Sequence, residues 1–171
     1  MDGQILERVK TTKFLGLHFD EHFSWEYHIA HCKKKVSQGV FTINMSKHIL
    51  STKHLNILYY SLVNPYLHYG ILLWGNALLK YMHGLQILQK KFMRAMCRAN
   101  YNDPSSPLFK ERNILKVHDM YELQTTLFIF RFVNGDLPKP LLDIYQFCRD
   151  IHEHNTGIAL IRELQKQFMI L

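Results

Sequence analysis

The chain has 171 residues, 47% hydrophobic and 13% aromatic, with 8 Gly and 5 Pro, a balance that excludes a disordered or fibrous polypeptide and suits a domain with a real core. Three scattered cysteines, Cys32, Cys97 and Cys148, form no Cys-x-x-Cys pair and exclude a disulfide framework. The formal net charge is +7, and MDGQILERVK has no apolar run of the secretory kind, so the expected compartment is intracellular, nuclear or cytoplasmic.

Residues Gln4 to Val9 alternate Ile5, Glu7, Val9 against Leu6, Arg8, Lys10, and Lys13 to Phe19 alternates again, which predicts a β-hairpin turning at Thr11-Thr12. Asp20 and Glu21 read as a polar turn and as negative charge ahead of a helix N-terminus. Ser24 is placed to cap that helix, with Glu26 in its first turn and Ile29, Cys32, Val36, Val40 and Ile43 recurring at steps of three and four. Lys33, Lys34, Ser37 and Lys47 fall on its other face.

A second helix is predicted from Ser51 or Thr52, carrying Leu55, Leu58, Tyr59, Leu62 and Val63 until Pro65 interrupts it. Leu55 to Leu79 contains no Lys, Arg, Asp or Glu, yet Asn56, Ser61, Asn64, His68 and Asn76 would need partners in lipid, so no membrane segment is expected. After Gly84 an amphipathic helix places Leu85, Leu88, Phe92 and Met96 inward, with Lys91, Arg94 and Arg98 along a flank that Lys90 widens. NYNDPSSP, Asn100 to Pro107, is a loop in which Ser106 is placed to cap a helix starting at Pro107 and reaching Arg112. A turn at Asn113, a helix capped by Asp119 and ending at Asn134-Gly135, and a last helix near Leu141 to Cys148 follow. The expected fold is mainly α, a helical bundle preceded by a small N-terminal β-hairpin. The expected divisions are a hairpin over 1–22, a basic helical region over 23–100 and a second helical region over 101–171.

Charge is distributed unevenly along this order. Between Glu26 and Asp103 there is no acidic residue, while ten Lys or Arg occur: Lys33, Lys34, Lys35, Lys47, Lys53, Lys80, Lys90, Lys91, Arg94 and Arg98. Such a block cannot neutralise itself through i,i+4 pairs, so its field is met by solvent, another surface or a polyanion, with phosphate backbone the natural candidate. Tyr59, Tyr60, Tyr66, Tyr69, Trp74 and Tyr81 are interleaved with it; most have core spacing, and one or two are available for stacking. Catalytic chemistry is poorly represented. No Asp-Asp pair occurs, no Gly-rich phosphate loop or nucleophile elbow is present, and His28, His31 and Cys32 lack a second ligand pair for zinc.

KFLGLHFDEHFSWEYHI, Lys13 to Ile29, resembles a signature of reverse transcriptases of non-LTR (LINE-type, jockey-like) retrotransposons: Lys-[Phe/Tyr]-Leu-Gly, then Asp, then Ser/Thr-Trp-x-x-His-Ile. LNILYYSLVNPYLHYGILLWGN from Leu55, LQILQKKFMRAMCRA from Leu85, PLFKERNILKVHDMYEL from Pro107 and FRFVNGDLPKPLLDIY from Phe130 continue the resemblance in the family's order. It implies the region after the catalytic palm, namely the primer-grip hairpin, the thumb and the segment beyond, with the catalytic Asp pair upstream of this chain and the fragment inactive alone. Lys13, Phe14, Leu15 and Gly16 match the primer-grip strand. Lys33, Lys34, Lys35, Lys90, Lys91, Arg94 and Arg98 would contact an RNA or DNA template-primer. No cofactor is expected, Mg²⁺ belonging only to a complete enzyme with its palm, and a palm-bearing polymerase chain is a further expected partner. The tail IALIRELQKQFMIL departs from the family pattern and reads as a frameshift or splice remnant. A helical protein-interaction module and a non-functional remnant of a mobile element are the alternative readings.

Overall fold

A computed structural model describes residues 8–144 of the chain. It is mainly helical with a small N-terminal hairpin, as the sequence predicts. Strands β1 (Thr11–Phe14) and β2 (Leu17–Asp20) precede helices α1 (Glu26–Ser46), α2 (Thr52–Leu62), α3 (Asn64–His68), α4 (Ile71–Trp74), α5 (Leu79–Met96), α6 (Ser105–Glu111), α7 (Val117–Val133) and α8 (Lys139–Ile144). Two compact units, 1–122 and 123–171, divide the chain within α7. Among the described residues no helix is long and apolar enough to cross a membrane.

The hairpin turns later than the alternation suggests. Its strands pair antiparallel with Phe14 opposite Leu17, so the two-residue loop is Leu15-Gly16 and not Thr11-Thr12. Both loop residues have positive φ, 46° and 82°, the geometry that lets a two-residue turn follow strand twist. Glycine adopts it freely, whereas β-branched threonine resists it. Tyr69 Oη donates to the Leu15 carbonyl and holds the tip down. Of the first expected strand, residues 4–7 lie outside the described part, and Arg8 to Lys10 are not strand.

Asp20 connects the hairpin to α1. Its buried carboxylate accepts from the N–H groups of His22 (3.1 Å), Ser24 (3.0 Å) and Trp25 (3.0 Å), and from the Ser24 hydroxyl (3.2 Å). These bonds stabilise a bent connection in which Phe23 and Trp25 both have positive φ. Trp25 occupies the N-cap position without a side-chain cap, and Ser24 Oγ, one residue earlier, accepts from Glu26 N–H at 3.3 Å. The bend sends Trp25 inward, edge-on to His28, whose ring then meets Trp74 at 5.5 Å.

Along α1, Ile29, Cys32, Val36 and Ile43 are fully buried, joined by Gly39, where a methyl group would come within 3.1 Å of Val63. Val40 is only half-buried. Helix α5 starts at Leu79, earlier than expected, so that Gly84 lies inside the helix, against the side chain of Lys33. Leu85, Phe92 and Met96 are buried and Leu88 half-buried. Gln89, also buried, donates to Tyr59 Oη (3.1 Å) and the Leu115 carbonyl (2.9 Å) while its Oε1 accepts from Val117 N–H (3.0 Å), so every polar atom it carries has a partner. Helix α6 starts at Ser105 after a Pro104 cap, placing Pro107 in the first turn, where a missing N–H costs nothing. Asp119 is likewise inside the first turn of α7 and is not its cap.

Within the second unit, α7 ends as expected at Asn134-Gly135: Gly135 has φ 74° and Asp136 N–H reaches the Arg131 carbonyl at 2.9 Å, a Schellman-type stop. Helix α8 begins at Lys139, two residues before the expected Leu141 start. The expected continuation to Cys148 and the divergent tail lie outside the described residues.

Asp20→Ala is expected to lower the unfolding free energy by about 1.5–3 kcal/mol, the range for hydrogen bonds to a charged acceptor, measured by urea unfolding. Burial pushes the Asp20 carboxyl up, but the Ser24, His22 and Trp25 N–H groups and the Ser24 hydroxyl together hold it below its ordinary value. Its stabilising effect is therefore fully present above the unfolded carboxyl's pKa near 4 and is lost as pH falls below that toward the folded value. The variant should show a correspondingly smaller drop in stability on acidification than the native chain.

Candidate nucleic-acid interface

The basic residues do not form one stripe; two groups of them stand out. Successive residues on a helix step by about 100°, so Lys33, Lys34 and Lys35 cannot share a face. Lys33 lies against Gly84 of α5. On the hairpin side of α1, burial first, then His18, Lys35, Lys13 of β1 and Lys34 hold His31 below its ordinary value, which places these lysines near its ring.

The other group lines a groove of about 400 Å³ between the C-terminal halves of α1 and α5. Its walls include Asn44 and Lys47 from α1 and the residue after it, Lys91 and Arg94 from α5, and Tyr101 from the loop beyond. Tyr101 is 76% exposed. None of the groove residues is acidic. Arg94 Nε donates to the Asp103 carbonyl at 2.9 Å, while the Asp103 carboxylate accepts from Asn100 N–H at 2.7 Å. Three cations, an amide and an accessible aromatic ring thus face one channel, an arrangement that can follow a phosphate backbone and stack a base.

Arg98 does not stack with Lys91 and Arg94 as the helical pattern predicts. It is the left-handed residue, φ 54°, that ends α5, with Ala99 N–H bonded to the Arg94 carbonyl at 2.9 Å. This turn redirects its side chain to the end of α1, where Nε donates to the Lys47 carbonyl (3.1 Å) and Nη2 to the Leu50 carbonyl (3.0 Å). Arg98 thus bonds the C-cap carbonyl of α1 and a carbonyl of the turn before α2, and ties α1 to α5. Lys90 is half-buried and is not among the groove residues. Lys80 lies over the Tyr81 ring at 4.6 Å, and Tyr81 Oη donates to Glu26 at 2.8 Å, so the last carboxylate before the acid-free run partly offsets this lysine.

The residues matching the primer-grip signature form the hairpin tip. Lys13 is exposed opposite His18, Phe14 and Leu15 are 63% and 71% exposed, and Gly16 packs beside Tyr69. Of the aromatic set, Tyr59 and Trp74 are fully buried core residues, whereas Tyr60 and Tyr69 are exposed. Sequence reasoning missed Asn44 and Tyr101 and left Lys47 out of the binding set. The sequence pattern puts Lys47 on the face away from Val40, whereas the packing of α1 on α5 brings both to the groove.

His28, His31 and Cys32 do cluster, with Cys32 Sγ and His28 Nε2 3.5 Å apart. Burial pushes the Cys32 thiol up to about 12. Burial first, then the charges of His31 and His18, lower His28 to about 4. Among the described residues no group of three or more His, Cys, Asp or Glu side chains is arranged to hold a metal ion.

Over 130 residues, 74% of its length, the chain is 25% identical to a probable RNA-directed DNA polymerase from transposon BS of Drosophila melanogaster. It spans 14% of that protein's length. No family model matches the chain, and no solved structure matches it significantly. Most of the chain is therefore similar to a segment of a transposon reverse transcriptase.

Arg98→Ala removes both bonds to the end of α1 and keeps a side chain in the left-handed conformation, and should destabilise the first unit by about 1–3 kcal/mol. Arg98→Gly loses the same bonds but relieves the conformational cost, so it should be less destabilising by about 1 kcal/mol. Thermal unfolding of the two variants side by side checks the order; a harmless Arg98→Ala would mean that the two carbonyl contacts contribute nothing.

Proposed function

We propose that this chain is a nucleic-acid-binding, non-catalytic region of a non-LTR retrotransposon reverse transcriptase, corresponding to the hairpin and thumb beyond the palm. It holds the template-primer backbone along the groove formed by Lys47, Lys91 and Arg94. The observation that carries this reading is the groove itself: cations from two helices, drawn from a sequence run with no carboxylate, facing one channel beside exposed Tyr101. The similarity to a transposon polymerase supports the polymer class. Backbone contacts of this kind fix position without reading sequence. The absence of an Asp-Asp pair from the sequence supports a region that does not itself perform nucleotidyl transfer. An intracellular site, nuclear or cytoplasmic, accords with such a partner.

Phe14 and Leu15, large apolar side chains exposed at the hairpin tip, favour a second reading in which the chain docks on another protein, a palm-bearing polymerase chain being the first to test.

Binding of a primer-template duplex and of a single-stranded oligonucleotide across a salt series tests the first reading. Each phosphate neutralised contributes about −0.9 to the logarithmic salt slope on duplex DNA and about −0.7 on a single strand. Lys91→Ala should weaken both and flatten the slope by about one contact, with little preference between sequences. Affinity that does not respond to salt, or a Lys91→Ala slope equal to the native one, would contradict the groove assignment.

A further inference from the structure

Three histidines gather where the hairpin meets the helices. The His18 ring of β2 lies 5.0 Å from that of His31 and 6.3 Å from that of His28, both on α1. His28 is 4% exposed, set between Trp25 at 6.2 Å and Trp74 at 5.5 Å. Its Nε2 lies 3.5 Å from the Cys32 sulfur, a weak partner. Among the described residues, neither His28 Nδ1 nor His18 Nε2, both buried, has a hydrogen-bond partner. Around His28 stand His18 from the hairpin, His31 and Cys32 from its own helix, and the two indoles. Around His31 stand Lys13 and His18 from the hairpin, Lys34 and Lys35 from α1, and Tyr66 from α3. None of the groups acting on these two rings is a carboxylate. Asp20, the buried acid of the connection, accepts instead from His22, Ser24 and Trp25.

We propose that this cluster is a proton-sensitive latch: neutral, it lets the hairpin and the connection after it, residues 11–25, pack on the helices; protonated, it releases them while the α1/α5 seam stays closed. The device is independent of nucleic-acid binding. A protonated imidazole here is a buried cation among like charges, with no acceptor for its N–H. Relief comes from opening the side of the cluster that is held least. β1 is exposed along its whole length, and Leu17, against Gly70, is the only apolar side chain of either strand that is buried. With Trp25 and the Tyr69 hydroxyl bond to the Leu15 carbonyl, it anchors the segment. The Asp20 bonds lie within the segment and travel with it. Burial first, then His31 and His18, lower His28 to about 4, and His31 is lowered by burial and by the cations around it. The released state therefore binds more protons in acid. The latch holds above the ordinary imidazole value of 6.5 and weakens as pH falls from there toward about 4. From His28 alone, the equilibrium for release rises about twentyfold between pH 7 and pH 5.

Cys32 reports on release, because its thiol is 1% exposed and lines the cavity beneath the hairpin with Gly16, His28 and His31. Labelling of the full chain with 4,4′-dithiodipyridine, read at Cys32 by mass spectrometry and divided by the rate of an unstructured cysteine peptide at the same pH, measures the open fraction. The corrected rate should rise about twentyfold from pH 7 to pH 5. Amide exchange over 85–96 of α5, corrected for its intrinsic rate, should show unchanged protection. The Asp20 carboxyl, held below its ordinary value, stays ionised across this window and does not contribute. His28→Phe keeps a ring between the two indoles but takes up no proton, and should lose most of the rise. In the native chain the His28 ring, followed by NMR, should titrate well below 6.5. A corrected Cys32 rate equal at both pH values, an equal loss of protection in α5, a His28 midpoint at the ordinary value, or a His28→Phe rise as large as the native one would overturn the latch. The measurements on the native chain stand whether or not that variant folds.

Discussion

The packing of α1 on α5 is the constraint on which the rest depends. The inward stripes of both helices, Ile29, Val36 and Ile43 of α1 and Leu85, Phe92 and Met96 of α5, are buried in the core that this packing helps to form, and the packing sets which of their remaining faces are opposed. At a burial gain of about 1.5–3 kcal/mol for each large apolar side chain, this seam outweighs any repulsion among exposed lysines at physiological salt, which is screened over about 8 Å. Cations can consequently be brought close together across the groove without unfolding it. Arg98 closes one end of the seam by reaching carbonyls at the end of α1.

An acid-free run of this length has to place its charge somewhere, and the structure uses several solutions. Arg94 and Arg98 donate to backbone carbonyls, Lys33 lays its stem along a glycine, and Lys80 borrows the ring of Tyr81. None of the ion pairs among the described residues uses a lysine or arginine from this run. Of the rest, Lys47 and Lys91 line the α1/α5 groove, Lys34 and Lys35 lie beside His31 near the hairpin, and Lys53 is exposed on α2. A uniform basic stripe would have required the cations to share one helical face; Lys33, Lys34 and Lys35, being consecutive, cannot.

The helical character, the inward stripes of α1 and α5, and the stop at Asn134-Gly135 were legible because each rests on local periodicity or on a residue with a special backbone preference. The hairpin's position was not. Alternation runs through Lys13 to Phe19 without a break, and only the φ tolerance of Gly16 shows that the turn falls within it. The role of Asp20 was only partly visible: negative charge before a helix was expected, but three converging N–H groups require the left-handed Phe23 and Trp25, for which the sequence carries no glycine signal. Arg98 was misplaced for the same reason, since a helical wheel continues through a residue that in fact ends the helix. The Lys-Phe-Leu-Gly to His-Ile signature acquires a physical meaning here: Gly16 makes the turn, Asp20 organises the connection, and Trp25, His28 and Ile29 enter the core.

Amide and side-chain NMR mapping of the first unit with a short single-stranded oligonucleotide at low salt tests the central claim most directly. The account predicts perturbations converging on Asn44, Lys47, Lys91 and Tyr101, from two helices and a loop that only the folded seam brings together, with the outward face of α2 around Lys53 and Tyr60 unaffected. Perturbations spread evenly over every exposed lysine, or centred on α2, would contradict it.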